Sequence, residues 1–221
     1  AERMNYAGCG PPELSARRLA AAAPRVFNAT VARLGRKRAR APEESLMSFN
    51  CWRCASCSQT SPDPIVRAAS CPKDFEGAFR LVYHSYLRSG LTKPNQYGLR
   101  VTRYHLLPTT EVFVSVYRGE VICTMTLIRD GELGLPMEAI YHEEIEAKRE
   151  IGIQMAEVSC LADRRSELDR SLSAVISVMS LMAQSATRRG VDELVIAVHP
   201  RHAPFYERFI GFHQIGEEKN Y

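Results

Sequence analysis

Glu157 stands in the run Ile153–Leu161, IQMAEVSCL, between Ala156 and Val158. A carboxylate among apolar neighbours is costly to bury without a partner. The position therefore suits either a strand-surface carboxylate paired with an arginine or a group kept for proton transfer. Further on, Asp192–Phe212 reads DELVIAVHPRHAPFYERFIGF and gathers His199, Arg201, His202 and Tyr206. Two imidazoles that titrate near neutrality and a phenol offer proton relay and proton donation. Each also has a plainer use: His202 as a helix cap, Arg201 as an exposed arginine, Tyr206 as a core ring whose hydroxyl reaches the surface.

These groups need elements to position them. Leu194–Val198 is an apolar, β-branched run without a polar face, which suits a strand covered on both sides in a mostly parallel sheet. Pro200 cannot join a ladder, so the strand stops near His199. Phe205, Tyr206 and Phe209 then share one face of a short helix, and Gly211 occupies the exit that favours positive φ. Strand, polar corner, helix and glycine together turn polar side chains and a phenol toward one cleft, half of an active site. Ile153–Leu161 is a second strand. Between the two, Leu168, Leu172, Val175, Ile176, Met179, Met182, Ala183 and Ala186 mark a long amphipathic helix. Ser166 and Asp169 form a capping-box pattern at its start, and Arg188, Arg189 and Gly190 close it. The three make a strand–helix–strand unit of a parallel sheet. Upstream, Val112–Tyr117 and Val121–Ile128 flank Arg118-Gly119-Glu120 as a hairpin. Before them, a helix capped by Asp74 carries Phe75, Phe79, Val82, Tyr83, Tyr86 and Leu87 and ends at Ser89-Gly90.

Residues 1–72 show no convincing folding pattern. An Ala/Arg segment is interrupted by Pro24, and a basic run and a Pro/Ser-rich stretch follow, so the expectation is a loosely attached tail ahead of a domain over residues 73–221. That tail holds eleven Lys/Arg against five Asp/Glu, whereas the domain holds eighteen against twenty within a chain of net charge +4. A domain of that balance is no general polyanion binder, which argues against nucleic acid. No apolar run reaches the length of a membrane span. Seven cysteines, an odd number, fit reduced thiols in a cytoplasm better than a secreted disulfide framework. Cys51, Cys54 and Cys57, with Cys71 further on, have thiolate-ligand spacing but lack a second pair, so unpaired thiols are expected rather than a metal site.

The order helix, hairpin, strand, long helix, strand, short helix resembles the GNAT acyltransferase superfamily. EVSCLAD and HPRHAPFYERFIGF in combination resemble, more narrowly, the long-chain N-acyl amino acid synthases, which are related to acyl-homoserine-lactone synthases. The resemblance covers residues 73–221 and implies an α/β fold, a GNAT-like three-layer αβα sandwich with a mixed central sheet. It implies an N-acyltransferase moving a fatty-acyl group from acyl carrier protein or acyl-CoA to an amino acid, with no permanently bound cofactor. Acetyl-CoA-dependent members cradle a pyrophosphate in a Gly-rich loop before the long helix. Here the loop is ADRRSEL, without glycine, and its Arg164 and Arg165 suit an acidic carrier protein better. The superfamily's last strands pair near and beyond His213, so a chain ending at Tyr221 leaves open that the sequence is a fragment.

Acyl transfer from a thioester assigns the roles. The attacking ammonium must lose a proton, for which Glu157 is the candidate base, with His199 as a relay. Backbone N–H groups at Cys160 and Leu161 are candidates for the oxyanion and for the pantetheine arm, which adds to a free strand edge. Cys160 itself reads as a small core residue rather than a nucleophile. Tyr206 is the candidate acid toward the thiolate, and Arg201 and His202 are candidates for the acceptor. An acetyl-CoA-dependent N-acetyltransferase and a non-catalytic module of the same fold are the alternatives.

Overall fold

The computed structural model describes residues 26–34, 63–164 and 171–220. Its centre is an eight-stranded mixed sheet. The strands are β1 (Val26–Arg33), β2 (Ile65–Ala68), β3 (Thr110–Tyr117), β4 (Glu120–Arg129), β5 (Met155–Asp163), β6 (Glu193–Val198), β7 (His213–Gln214) and β8 (Lys219–Asn220). Their spatial order is β2-β3-β4-β5-β6-β1-β7, with β8 also on β1. Among these pairings only β5–β6 is parallel, so β6 lies in a mixed sheet rather than a mostly parallel one. The helix between those two strands, α3 (Ser171–Arg188), is the crossover that such a parallel pair requires.

Side-chain alternation along the strands sorts the helices into two layers. Leu194, Ile196 and Val198 of β6 pack with Ala156 and Val158 of β5 against α3 and α4 (Ala203–Ile210). Met155 and Val195 face the other way, onto α2 (Glu138–Glu150). Cys160 and Ala162 meet α1 (Pro72–Arg88). The result is the expected αβα sandwich. The hairpin turn also follows expectation, with Arg118 and Gly119 both left-handed at φ 51° and 78°, as a two-residue turn between twisted strands demands. Gly211 ends α4 at φ 76°.

Four expectations are corrected. Residues 1–72 are not a tail throughout: β1 is an interior strand between β6 and β7, with Ala29 and Thr30 fully buried. β2 likewise extends the sheet beyond β3. The cue was weak because β1 is covered on both faces, yet one face carries the polar Asn28 and Thr30, which break the apolar pattern. Second, the residue at the start of α1 is Cys71, with Pro72 in the first turn. Asp74 lies inside that turn, buried, where it accepts from Arg67 at 2.8 and 3.1 Å. Third, Leu172 and Ile176 lie on the outer side of α3, 55% and 52% exposed, while Ala174, Val178 and Met182 supply its core face. Fourth, the strand at His213 pairs with β1, a neighbour that a tail reading did not provide. The capping-box residues Ser166 and Asp169 lie outside the described residues.

Tyr141 ties β1 to the end of the chain. Its hydroxyl donates to the carbonyls of Phe27 and of Glu217, the latter at 3.0 Å. A Cβ at Gly216 would come within 2.8 Å of the Tyr141 ring, so only glycine fits there without movement.

Because β1 and β2 are parts of the sheet, a chain shortened to begin at Pro72 should melt well below the full chain. At about 2–4 °C per kcal/mol for a protein of this size, loss of an interior strand should lower the Tm by ~10 °C or more. Calorimetry of both proteins checks this, and equal melting temperatures would assign the two strands no role in stability.

Candidate active site

Glu157 occupies a junction in the sheet. It pairs with Ile128 of β4 on one side and with Val195 of β6 on the other. The Glu157–Val195 rung is the last of the parallel ladder, although β5 runs on to Asp163 and β6 to Val198. Beyond it the two strands part. A parted pair of parallel strands presents unpaired edges to which an extended arm can add as another strand.

The next irregularity is a bulge. Thr126 pairs with Ser159 but Thr124 pairs with Ala162, so Cys160 and Leu161 together oppose a single residue of β4. Cys160 is left-handed at φ 55°, uncommon for a residue with a Cβ. The extra residue resets the alternation, so Leu161 turns toward the α3 face and Cys160 toward α1. It also draws the backbone of Cys160 and Leu161 out of the regular β4 ladder, beside the parted strands. The Cys160 thiol is buried and pushed up by that burial, and Ser159 Oγ contacts its sulfur at 3.8 Å. A thiol held protonated is a poor nucleophile.

On the face of α1 and α2, Glu157 and Ser159 line a cavity of about 160 Å³. Tyr86 of α1, Arg100 of the loop after it, Met137 and Ile140 at the start of α2, Ala197 of β6 and Phe27 of β1 enclose it. Glu157 is 5% exposed, and its Oε2 accepts from the Met137 backbone N–H at 2.7 Å. Burial pushes its carboxyl from an ordinary 4.5 up to about 8; the Met137 hydrogen bond opposes this and the charge of Glu138 adds to it. Burial, then the neighbouring Cys160, Tyr206 and Glu157, hold the Tyr86 hydroxyl far above its ordinary range, against the charge of Arg100.

Tyr206 approaches from the opposite layer. It is 6% exposed on α4, with its ring edge-on to Phe212 at 5.8 Å and to Phe205 at 5.5 Å. Burial raises its phenol to about 12, which keeps the proton on the oxygen near neutrality. Glu157 and Tyr206 thus lie on opposite faces of the sheet.

The remaining anticipated residues lie elsewhere. His199, exposed beyond β6, accepts from Arg201 N at 3.3 Å, and Arg201 Nε contacts His202 Nε2 at 3.1 Å. None of the three lines the cavity that holds Glu157. Arg164 is ion-paired with Glu120 and lines a separate groove of about 720 Å³ between α1 and the β3–β4 turn. Arg165 lies outside the described residues, as do Cys51, Cys54 and Cys57. Among the described residues no cluster of His, Cys, Asp or Glu forms a metal site, and no helix is long and apolar enough to cross a membrane. Sequence reasoning passed over Phe27, Arg100, Met137 and Ser159. Only Tyr86 carried a signal, as part of the α1 apolar face.

A mixed sheet whose two parallel strands part beside a buried carboxylate, with a crossover helix behind and a short aromatic helix after the second strand, defines a GNAT-fold acyltransferase. Among solved structures, the chain resembles that of FeeM, an N-acyl amino acid synthase from uncultured soil microbes. The match has 28% identity and a TM-score of 0.63 over 71% of this chain and 82% of that one. The CoA-dependent acyl-homoserine lactone synthase BjaI, solved with SAM and isopentyl-CoA, shares the fold at 16% identity and a TM-score of 0.52, over 66% of this chain and 71% of that one. No curated protein sequence matches. The family model for the N-acyl amino acid synthase FeeM matches residues 77–221, and the chain belongs to that family. It is an N-acyltransferase.

If Glu157 is the base, Glu157→Gln should lower turnover at neutral pH by a factor of roughly 10²–10⁴ and leave donor binding nearly unchanged. With its carboxyl at about 8, the proton-accepting form grows as pH rises, so the wild-type rate should climb toward pH 8. The variant's defect should shrink at still higher pH, where free amine abounds. Tyr206→Phe should lose rate without that recovery. Near-normal turnover of Glu157→Gln at pH 7 would leave Glu157 a structural role only.

Proposed function

We propose that this protein joins a fatty-acyl group, delivered as the thioester of acyl carrier protein, to the α-amine of an amino acid. The observation that carries the reading is the placement of Glu157, a buried carboxyl on the last rung between β5 and β6 that opens into the cavity. FeeM family membership supports the reaction class.

In this reading the pantetheine arm lies along the parted strand edge, with its thioester between Glu157 and Tyr206. The ammonium of the acceptor gives its proton to Glu157, a transfer far less uphill than to an ordinary carboxylate because burial has raised this carboxyl to about 8. The amine nitrogen attacks the carbonyl carbon and forms the C–N bond while an electron pair moves onto oxygen. In this reading the backbone N–H groups of the Cys160–Leu161 bulge receive that oxyanion. Collapse breaks the C–S bond, the departing thiolate takes the proton of Tyr206, and the nitrogen gives up its second proton to solvent, which leaves a neutral amide and a thiol. Glu157 and Tyr206 then exchange protons with solvent, and the site returns to its starting state. His199 lies outside the cavity and has no part in this sequence.

The preference for a carrier protein rests on the glycine-free loop after β5 and on Arg164 beside the large groove, whose lining includes Lys73, Arg80, His84 and Arg88. Buried thiols at Cys71, Cys123 and Cys160, none in a disulfide, accord with a reducing cytoplasm.

Mass spectrometry of lipid extracts from an expressing host should show an N-acyl amino acid absent from the control. With purified donors, acyl carrier protein should be used more efficiently than the matching acyl-CoA. Reversing both charges, Arg164→Glu with Arg165→Glu, should raise the KM for the carrier protein and flatten its salt dependence, since the loss is of charge pairing. Equal efficiency with both donors, or indifference to the reversal, would direct the donor assignment to acyl-CoA.

A further inference from the structure

Arg100 is the cation of the cavity that the reaction steps leave unused. Its backbone N–H donates to the Phe79 carbonyl at 3.2 Å, which pins the loop after α1 against that helix. Its guanidinium carbon lies 4.8 Å from the centre of the Tyr86 ring. The guanidinium bears on the Cys160 thiol, but its Nε is buried with no hydrogen-bond partner, and no carboxylate among the described residues pairs with it. Arg67 by contrast pairs with Asp74 at 2.8 Å and Arg149 with Asp130 at 2.9 Å, while Arg129, whose Nε is buried without a partner too, does not line this cavity. A guanidinium presents its donors as a planar fork that matches a carboxylate, and a buried donor left empty is costly.

Across the same cavity stands Glu157, whose Oε2 is held by the Met137 N–H. The cavity's one carboxylate and its one guanidinium are thus not spent on each other. A volume of about 160 Å³ is well below that of pockets for drug-sized ligands, and it suits a small acceptor rather than a fatty chain. An anion site and a proton acceptor on separate walls of a small cavity match the two ends of an α-amino acid.

We propose that Arg100 binds the α-carboxylate of the acceptor and thereby makes the enzyme select amino acids over simple amines. This rests on the N-acyl amino acid synthase reading above and names the residue that enforces it. Arg201 and His202, which do not line the cavity, are then released from that role.

The test compares phenylalanine with phenethylamine, and leucine with isopentylamine, at a fixed acyl-thioester donor. Wild-type enzyme should favour each amino acid over its amine. Arg100→Gln should lower the ratio of the two kcat/KM values by roughly 30-fold or more, the loss typical when one partner of a buried charge pair is removed, mainly through KM for the amino acid. Arg100→Lys should retain part of the preference, since charge survives while the planar fork does not. A purely structural role would depress both substrates together and leave the ratio unchanged, which overturns the proposal, as does a wild-type enzyme indifferent to the carboxylate. Equilibrium binding of the amino acids alone separates this proposal from the activity. Carboxylate-dependent binding lost in Arg100→Gln upholds it even if no acyl transfer is seen, and binding unaffected by the substitution overturns it even if transfer occurs.

Discussion

The parting of β5 from β6 is the constraint from which the rest follows. Two parallel strands share a ladder for three rungs, Met155–Glu193, Ala156–Leu194 and Glu157–Val195, and then separate. Unpaired backbone groups in a protein interior are costly, so a gap of this kind persists only where the surrounding structure fixes both strands independently. β4 fixes β5 through a long antiparallel ladder that absorbs the Cys160 bulge. β1 does the same for β6 along six consecutive residue pairs. Each strand is thus held from its outer side, and the space between them is kept open for substrate.

The same arrangement explains the chemistry of Glu157. Strand alternation turns its side chain toward α2, into the layer that also holds Met155 and Val195. There the start of α2 supplies one backbone donor but no cation, so desolvation dominates and the carboxyl retains its proton to unusually high pH. On the other face Tyr206 lies in an apolar cluster built from α3, α4 and β6. Burial moves the two groups by one mechanism to two ends of the useful range: one gives up its proton near pH 8, the other keeps it well above neutrality. Because Glu157 keeps its proton up to about 8 when folded but would lose it near an ordinary 4.5 when unfolded, raising the pH between these values favours the unfolded chain and lowers stability. The burial that raises this carboxyl therefore weakens the fold progressively from mildly acidic pH up to about 8.

Much of this was legible in the residues. The β5–α3–β6 unit, the hairpin and α4 carry regular periodicity with clear stops, and Glu157 and Tyr206 stood out as a lone carboxylate and a phenol beside those stops. Other parts were hidden for identifiable reasons. β1 finds its partner β6 far along the chain, and Asn28 and Thr30 disguise its buried face; the Asn28 Oδ1 and Thr30 Oγ1 are buried without a hydrogen-bond partner. Arg100 sits in a loop between Pro94 and the hairpin, where no periodicity marks a side chain that turns inward. His199, Arg201 and His202 misled in the opposite way. Polar residues just past a buried strand suggest a cleft, but the short 3-10 turn at Pro200–His202 leaves His199 and Arg201 in solvent and bonded to near neighbours.

The interior position of β1 has a consequence for how the molecule comes to exist. Ala29 pairs with Ala197, and Val31 with His213, so β1 can pair only once the long stretch through β6 and β7 has been made. Contacts so distant in sequence close slowly, and until then an apolar segment and an unsatisfied edge of β6 wait exposed. Phe27, a wall of the acceptor cavity, arrives with that strand. The pocket is thus completed among the last steps of folding, and a nascent or partly folded chain has no finished place to hold an acceptor.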